Sequence, residues 1–385
     1  MRQKIAQEIR RYGPIPFSRY MEMCLYDPEL GYYSRNTEQF GKAGDFYTAS
    51  DVHTVFGRLL ARQFEEMWRV LGLRERIELL ELGPGRGWFA QDVLDWSEKK
   101  FPRFFRALRY TLVERSPALR EKLRSTFASR IGEGKVAVAD FQQPSEHMID
   151  LIPFHLGTFA PDNPIVAFAN EFFDSLPVEV LSEKGSLRID LRDNGFSENW
   201  APSSAEELEF LERYSVHPRP GDRTEASLIA QKHMAQVAAS IRCGFFIAID
   251  YGYTREEQLA GRYLGSVMTY RHHSASPNPY EAPGEQDITS HVNFTALAST
   301  ARQKGMQPHK LLTQSQFLLG IGEANQFADA FEECRLPQER VKVALQLKHL
   351  VAPAGMGETF HVLVASKGVD RGTGASLSGL RFGKT

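Results

Sequence analysis

Three glycines at alternate positions are the first residues in this sequence whose spacing suggests a chemical role. The stretch "LLELGPGRGWF" (79–89) places Gly83, Gly85 and Gly87 directly after an aliphatic run. Glycine turns between a strand and a helix present backbone N–H groups to nucleotides. A dinucleotide turn needs its third glycine three positions after the second, and here that position is Trp88. A phosphate loop needs a GK[ST] ending, which this turn lacks. What remains is the looser GxGxG turn used for S-adenosylmethionine.

Carboxylates near three predicted strand ends are suited to bind that nucleoside. Glu114 ends "LRYTLVE", where a carboxylate accepts both ribose hydroxyls in charge-assisted hydrogen bonds. Asp140 ends "KVAVAD", within reach of the adenine amino group, and Glu81 precedes the glycines and would face the methionine ammonium. Any one of these acids is more often a solvated strand end, but the three together favour a cofactor site.

The residues after the fourth predicted strand suit a cationic methyl acceptor. Asn170 ends "NPIVAFAN", and its amide oxygen would hold an N–H group of the nucleophile. Glu171 and Asp174 follow, beside Phe172 and Phe173, and a guanidinium fits both carboxylates and aromatic faces. The guanidinium pKa is above about 12, so the acids would orient it and accept its proton as the bond forms. Alternatively, Asp174 caps a helix beginning at Ser175.

The segment "GDFYT" (44–48) supplies further candidates for the methionine end of the cofactor. Asp45 would hold the ammonium, and Tyr47 and Thr48 would reach the carboxylate. A purely structural turn is an equally good interpretation of this segment.

The segment "EQDITSHVNF" (285–294) places Asp287 and His291 on the substrate side. The alternatives are that Asp287 caps a helix near 292–300 and that His291 is an ordinary hydrogen-bonding group. We expect no metal site, because the adjacent His272 and His273 would rarely converge on one ion.

The elements that must position these residues alternate between strand and helix. Short aliphatic runs predict five strands, at 76–83, 108–114, 135–140, 163–170 and 244–250. Alternation of this kind implies an α/β fold with a parallel sheet covered on both faces and the ligand at the carboxyl ends of the strands. An amphipathic helix is predicted over 51–71. A small β insertion followed by two helices is predicted between 171 and 243. The runs at 309–319 and 360–368 predict an antiparallel pair at the sheet edge.

Composition excludes several classes of partner. The chain of 385 residues is 42% apolar and 24% charged, with a formal net charge of -2, so it offers no basic field for nucleic acid or anionic membrane. No apolar run is long enough to span a membrane. Cys24, Cys243 and Cys334 are scattered, which argues against a disulfide framework and fits a reducing cytoplasm. The oligomeric state is left open, with a homodimer as one alternative.

Four ordered blocks resemble those of the MidA family of class I S-adenosylmethionine-dependent methyltransferases. These blocks are "GDFYTASDVHTVFG" (44–57), "LELGPGRG" (80–87), "ANEFFDSLPV" (169–178) and "APGEQDITSHVNF" (282–294). The mitochondrial branch of that family is a protein arginine methyltransferase needed for assembly of respiratory complex I. The resemblance implies a Rossmann-like, seven-stranded, mostly parallel sheet with an N-terminal helical cap and an α/β insertion before the fifth strand.

The domain organisation expected from this resemblance has five parts. They are a helical cap (1–72), the first part of the cofactor-binding core (73–170), a substrate-side insertion (171–243), the rest of the core (244–367) and a flexible tail (368–385). The N-terminus lacks an Arg- and Ser-rich transit peptide, so we expect a bacterial, cytoplasmic relative. The expected activity is methylation of a protein arginine. The alternatives are methylation of a small molecule or polyamine, and an assembly factor that binds the cofactor without turnover.

Overall fold

The structure, a computed structural model, describes residues 1–34, 54–139, 163–193, 195–259, 261–262, 264–271, 274–374 and 376–383. The N-terminal elements are α1 (Arg2–Tyr12), β1 (Ile15–Pro16), α2 (Phe17–Tyr26) and α3 (Thr54–Val70). There follow β2 (Ile77–Leu82), α4 (Trp88–Lys100), α5 (Pro102–Ala107), β3 (Leu108–Val113), α6 (Pro117–Thr126), α7 (Ala128–Gly132), β4 (Val136–Ala139) and β5 (Ile165–Asn170).

The second half of the chain begins with the inserted segment, which contains β6 (Glu179–Ser182), β7 (Gly185–Arg192), β8 (Gly195–Ala201), α8 (Ala205–Tyr214), β9 (Thr224–Ala226) and α9 (Leu228–Ser240). It continues with β10 (Gly244–Tyr253), α10 (Arg255–Leu259), β11 (Met268–Arg271), β12 (Ser274–Ser276), β13 (Asp287–Thr289), β14 (Val292–Asn293) and α11 (Phe294–Gln303). The last elements are β15 (Gln307–Pro308), β16 (Leu312–Thr313), α12 (Gln314–Glu323), α13 (Ala328–Phe331), α14 (Pro337–Val351), β17 (Phe360–Lys367) and α15 (Arg371–Gly374).

The central sheet confirms the predicted α/β class. Its seven-strand path runs β4-β3-β2-β5-β10-β17-β15, with β14 added to β10 and β16 added to β17. The pairs from β4 to β10 are parallel, and β17 is antiparallel to β10. All six residues of β2 are buried, as expected for a strand covered on both faces. The strand order reverses between β2 and β5, so a crevice opens at their carboxyl ends, where open α/β sheets bind ligands.

The sheet is held between two apolar layers. On one face α3 and α4 pack against each other, and Phe89 of α4 stacks on Phe168 of β5 with ring centroids 4.6 Å apart. On the other face α9 and α11 bury side chains such as Met234 and Leu297. Because both faces are closed, ligands reach this sheet at its carboxyl edge.

The inserted segment builds a second sheet that also binds the N-terminus. This antiparallel sheet has the order β1-β7-β6-β9, with β8 paired to β7. A separate three-stranded sheet has the order β12-β11-β13, and Ile288 of β13 shares an apolar cluster with β6 and β7. The small β insertion predicted between 171 and 243 corresponds to β6, β7 and β8, which pair as consecutive antiparallel strands. Side chains of α1 and α2 share an apolar cluster with β6 and β7. The predicted N-terminal cap is therefore divided, because α3 packs on the central sheet and residues 1–26 pack with the insertion.

Two segments differ from expectation. The strand predicted over 309–319 is wrong beyond Thr313, because Thr313 and Gln316 form a capping box that starts α12. The tail predicted as flexible is packed at residues 376–383, where Leu377 and Leu380 are buried. The backbone N–H of Gly379 donates a hydrogen bond of 2.9 Å to Gln63 of α3. The contact between Gly379 and Gln63 joins residues 316 positions apart and has no signal in the local sequence.

Candidate functional site

The glycine turn between β2 and α4 is left-handed at all three glycines. Gly83, Gly85 and Gly87 have φ of 66°, 54° and 80°, a region that residues with a Cβ enter only at a cost. The N–H of Gly83 donates to the carbonyl of Val113, which ties the turn to the end of β3. A Cβ placed on Gly85 would meet no atom within 4 Å. Gly85 therefore faces open space in the crevice, as a ligand-binding glycine should.

The third glycine has a different role from the one expected. A Cβ on Gly87 would lie 2.6 Å from Leu123 Cδ2 and 2.7 Å from Phe127 Cε2. Gly87 thus allows α4 to approach the segment of α6 and α7 closely. We assign it to packing and not to direct approach of the ligand.

The carboxylate of Glu114 lies at the glycine turn. Its Oε1 accepts the backbone N–H of Ser116 at 2.8 Å. Burial raises the pKa of Glu114 to about 7, although hydrogen bonds from the N–H groups of Ser116, Arg115 and Gly85 act in the opposite direction. The hydrogen bond from the N–H of Gly85 places the carboxylate of Glu114, the acid expected to bind the ribose, beside the glycine that faces open space. This geometry fits the predicted cofactor role.

Glu81 is buried beneath the same turn. Its Oε2 accepts a hydrogen bond of 2.8 Å from the hydroxyl of Tyr110 on β3. Burial, together with the charge of Glu114, raises the pKa of Glu81 to about 8. A buried acid of this kind is protonated at neutral pH until a cation approaches it. The methionine ammonium would be such a cation.

The carboxyl end of β5 holds two of the predicted catalytic residues in an unusual arrangement. Asn170 Nδ2 donates to Glu171 Oε1 at 3.0 Å, while Asn170 Oδ1 is buried and has no hydrogen-bond partner within the described part of the chain. Glu171 has a φ of 49°, a left-handed conformation that is rare for residues other than glycine and is associated with functional sites. The N–H of Glu171 donates to the carbonyl of Ile249, so β10 holds this backbone.

Asp174, which follows β5, and Asp250 of β10 form a pair of carboxylates close to Glu171. Asp174 accepts a hydrogen bond from the hydroxyl of Tyr251, and Asp250 Oδ2 accepts the N–H groups of Phe173 and Asp174 at 3.0 and 3.3 Å. Burial raises the pKa of both acids, and for Asp250 the charges of Asp174 and Glu171 add to the effect. No helix begins at Ser175, so the alternative in which Asp174 is a helix cap is wrong.

Asp287 is brought to the same cluster by β13. Its Oδ1 accepts a hydrogen bond of 2.9 Å from the hydroxyl of Tyr33. The negative charges of Asp287 and Asp174 both contribute to the raised pKa of Tyr26. The N–H of Ser290 donates to the carbonyl of Asp174 at 2.9 Å. Asp287 does not cap α11, because the side chain of Asn293 does so.

The three remaining predicted side chains on the substrate side have separate positions. Phe172 covers the glycine turn, since its Cδ2 would lie 3.0 Å from a Cβ on Gly83. Phe173 is a core residue packed on Phe246, so it cannot line the site as expected. His291 packs its ring edge-on against Tyr251 at a centroid distance of 5.3 Å.

Four predicted cofactor residues, Asp45, Tyr47, Thr48 and Asp140, lie outside the described residues. Within the described part of the chain, no three His, Cys, Asp or Glu side chains are grouped so that they could hold a metal ion. Among the helices that the structure describes, none combines the length and apolar character of a membrane span.

Sequence reasoning missed several members of this cluster. Asp250 ends the run "GFFIAID" just as Glu114 and Asn170 end theirs, so its position at a strand end was an available signal. Tyr26 and Tyr33 come from the N-terminal segment, and no local pattern connects them with acids near residues 174 and 287.

Comparison with known proteins agrees with this site. Residues 59–312 match the family model described as "Putative S-adenosyl-L-methionine-dependent methyltransferase". The chain is 27% identical over 394 residues to the mitochondrial "Protein arginine methyltransferase NDUFAF7 homolog" of Drosophila melanogaster, covering 95% of this chain and 84% of that protein. The Homo sapiens protein arginine methyltransferase NDUFAF7 is 26% identical over 392 residues, with 94% and 82% covered.

A solved structure supports the same conclusion. A COG1565 superfamily member from Burkholderia thailandensis, bound to S-adenosyl-homocysteine, superposes with a TM-score of 0.79 at 27% identity, covering 99% of this chain and 94% of that chain. The fold, the glycine turn and the family match agree, and this chain belongs to the MidA-like family of S-adenosylmethionine-dependent methyltransferases.

Proposed function

We propose that this methyltransferase acts on a guanidinium nitrogen of an arginine in a protein. The observation that carries the proposal is a group of acids surrounded by tyrosines: Asp174 follows the carboxyl end of β5, Asp250 lies in the second half of β10, and Asp287 begins β13. Asp174, Asp250 and Asp287 are all at least nine-tenths buried, with Tyr251 and Tyr33 bonded to two of them. A planar cation with five N–H donors complements such a group. The curated relatives named above are protein arginine methyltransferases.

The cofactor site of the proposal consists of the glycine turn and two acids. Gly85 leaves room for the ligand, Gly83 makes the turn beneath Phe172, Glu114 would accept the ribose hydroxyls and Glu81 would face the ammonium. Asp140, Asp45, Tyr47 and Thr48 remain predictions for the same site. When bound, S-adenosylmethionine supplies an electrophilic methyl group on a sulfonium sulfur.

The catalytic part consists of Asn170, Glu171 and Asp174. The buried Oδ1 of Asn170 would accept an N–H group of the acceptor nitrogen and align its lone pair. Glu171 and Asp174 would bind the other guanidinium nitrogens, concentrate positive charge there and receive the proton released as the N–C bond forms. Phe172, which covers the turn, would exclude water from the methyl group, and Asp287 and His291 would line the approach of the substrate.

The direct test is transfer of labelled methyl from S-adenosylmethionine into lysate of a strain that lacks the protein, followed by identification of the labelled residue. Label on arginine of a protein supports the proposal. Label only in a polyamine or another small metabolite would refute the arginine assignment. Full cofactor affinity without any transfer would favour the assembly-factor alternative.

Two variants make this test specific for the site. Glu171→Gln keeps the shape of the side chain but removes its charge, so we expect transfer to fall at least about 100-fold while cofactor affinity changes little. The matched control is Glu183→Gln in the exposed turn after β6, which should leave transfer unchanged. Equal activity of both variants would exclude a catalytic role for Glu171.

Two features of this proposal concern the cellular setting. A cytoplasmic location remains our prediction for this chain, while the curated relatives carry mitochondrial names. A homodimer likewise remains a prediction, which sedimentation of the purified protein would test.

A further inference from the structure

Arg115 is a partly buried cation in the site whose donors are incompletely used. It directly follows Glu114, its side chain is 14% exposed, and its guanidinium carbon lies 4.6 Å from the ring centroid of Tyr26. Its Nη2 atom is buried and has no hydrogen-bond partner among the residues that the structure describes. An unsatisfied guanidinium nitrogen in such a place is costly and suggests that a ligand completes it.

The nearest acid does not account for this guanidinium. Glu22 Oε1 lies 3.6 Å from Arg115 Nη2, which is outside hydrogen-bond distance. The other oxygen of Glu22 accepts a hydrogen bond of 2.9 Å from Arg19 Nη1. Glu22 therefore reduces the cost of burying the charge of Arg115 but leaves Nη2 without an acceptor.

Arg115 lies between the cofactor turn and the acid cluster. On one side, its backbone N–H and that of Gly85 are both directed at the carboxylate of Glu114. On the other side, the hydroxyl of Tyr26 donates to the carbonyl of Ser175 at 3.0 Å, directly after Asp174. A ligand extending from Glu114 towards the end of β5 would pass this guanidinium.

The cofactor carries a negative group that a guanidinium could bind. The amino-acid end of S-adenosylmethionine carries an ammonium and a carboxylate, whereas the site is lined mainly by acids, namely Glu81, Glu114, Glu171, Asp174, Asp250 and Asp287. These acids suit the ammonium and the sulfonium but repel the carboxylate. We propose that Arg115 binds the carboxylate of the methionine moiety, with Nη2 as one of its donors. This inference rests on the cofactor site of the proposed function.

The test compares ligands with and without that carboxylate. Affinities of S-adenosylmethionine, S-adenosylhomocysteine and decarboxylated S-adenosylmethionine are measured by calorimetry on the full chain. For Arg115→Met we expect the two carboxylate ligands to bind about 10- to 100-fold more weakly, the effect of one charge-assisted bond. The decarboxylated ligand should bind as well as before or more tightly, because it gains from the loss of a positive charge.

Two further variants keep the test decisive. Arg115→Lys retains the charge but loses the planar fork, so it should show the same ligand selectivity with a smaller effect, and it serves if the methionine variant does not fold. Arg124→Met removes a half-exposed arginine from α6 and should change no affinity. Equal weakening of all three ligands, or no weakening of any, would overturn the inference. Failure of the unmodified protein to bind any of them would instead contradict the proposed cofactor site.

Discussion

The number of protons released when the cofactor binds would test the proposed roles of both buried acids, Glu81 and Glu114, in one measurement. In the ligand-free protein, burial raises the pKa of Glu81 to about 8 and that of Glu114 to about 7. In the proposed complex, Glu81 faces an ammonium and Glu114 accepts ribose hydroxyls, and both interactions favour the ionised carboxylate. Binding should therefore drive both protons into solution.

The size of the effect follows from the two pKa values. At pH 7, Glu81 is about nine-tenths protonated and Glu114 about half protonated, so complete ionisation releases about 1.4 protons. Affinity should consequently rise with pH by about one order of magnitude between pH 7 and 8.

Calorimetry at pH 7 in two buffers of different ionisation enthalpy measures the number of protons released. In Glu81→Gln we expect the number to fall by about 0.9, since only the contribution of Glu114 remains. Glu183→Gln, in the exposed turn, should behave as the unmodified protein. A release below about 0.2 protons, or one unchanged in Glu81→Gln, would refute the placement of the ammonium beside Glu81.

Three further predictions concern the glycine turn and the acids. Gly85→Val should lose cofactor binding and lower the melting temperature only by the cost of its left-handed φ, whereas Gly87→Val should lower it further, because its Cβ would also lie 2.6 Å from Leu123; equal melting temperatures would contradict this difference. The pKa of Glu81 is about 8 in the folded state and 4.5 in the unfolded chain. The free energy of unfolding therefore falls as the pH rises from 4.5 to about 8. Glu81→Gln removes this loss, and its gain over the unmodified protein in denaturant titrations should grow from near zero at pH 4.5 to about 3 kcal/mol at pH 7. Asp250→Asn turns an amide N–H group towards a backbone donor, so it should lower the free energy of unfolding by about 1–3 kcal/mol and reduce kcat. Unchanged cofactor affinity would show that the core of this variant is intact.

Local patterns in the sequence predicted most of the cofactor side. The aliphatic run of β2 and the glycines after it specify a strand–turn–helix unit whatever surrounds them, because strand burial and left-handed turns depend on neighbouring residues. Glu114 and Asn170 were identifiable because parallel strands end at one edge of the sheet. The four family blocks supplied the family assignment.

The acceptor side was decided by packing between distant segments. Asp250 is 76 residues from Asp174 and supports its backbone, and Tyr33 is 254 residues from the carboxylate of Asp287. Packing between distant segments also sets the surroundings of two predicted site residues, because a Cβ on Gly87 would meet Leu123 and Phe173 packs on Phe246. A local pattern specifies which element forms and which way its side chains alternate. Which side chains meet depends on how the elements pack, and that packing minimises exposed apolar area and unpaired polar groups over the whole chain.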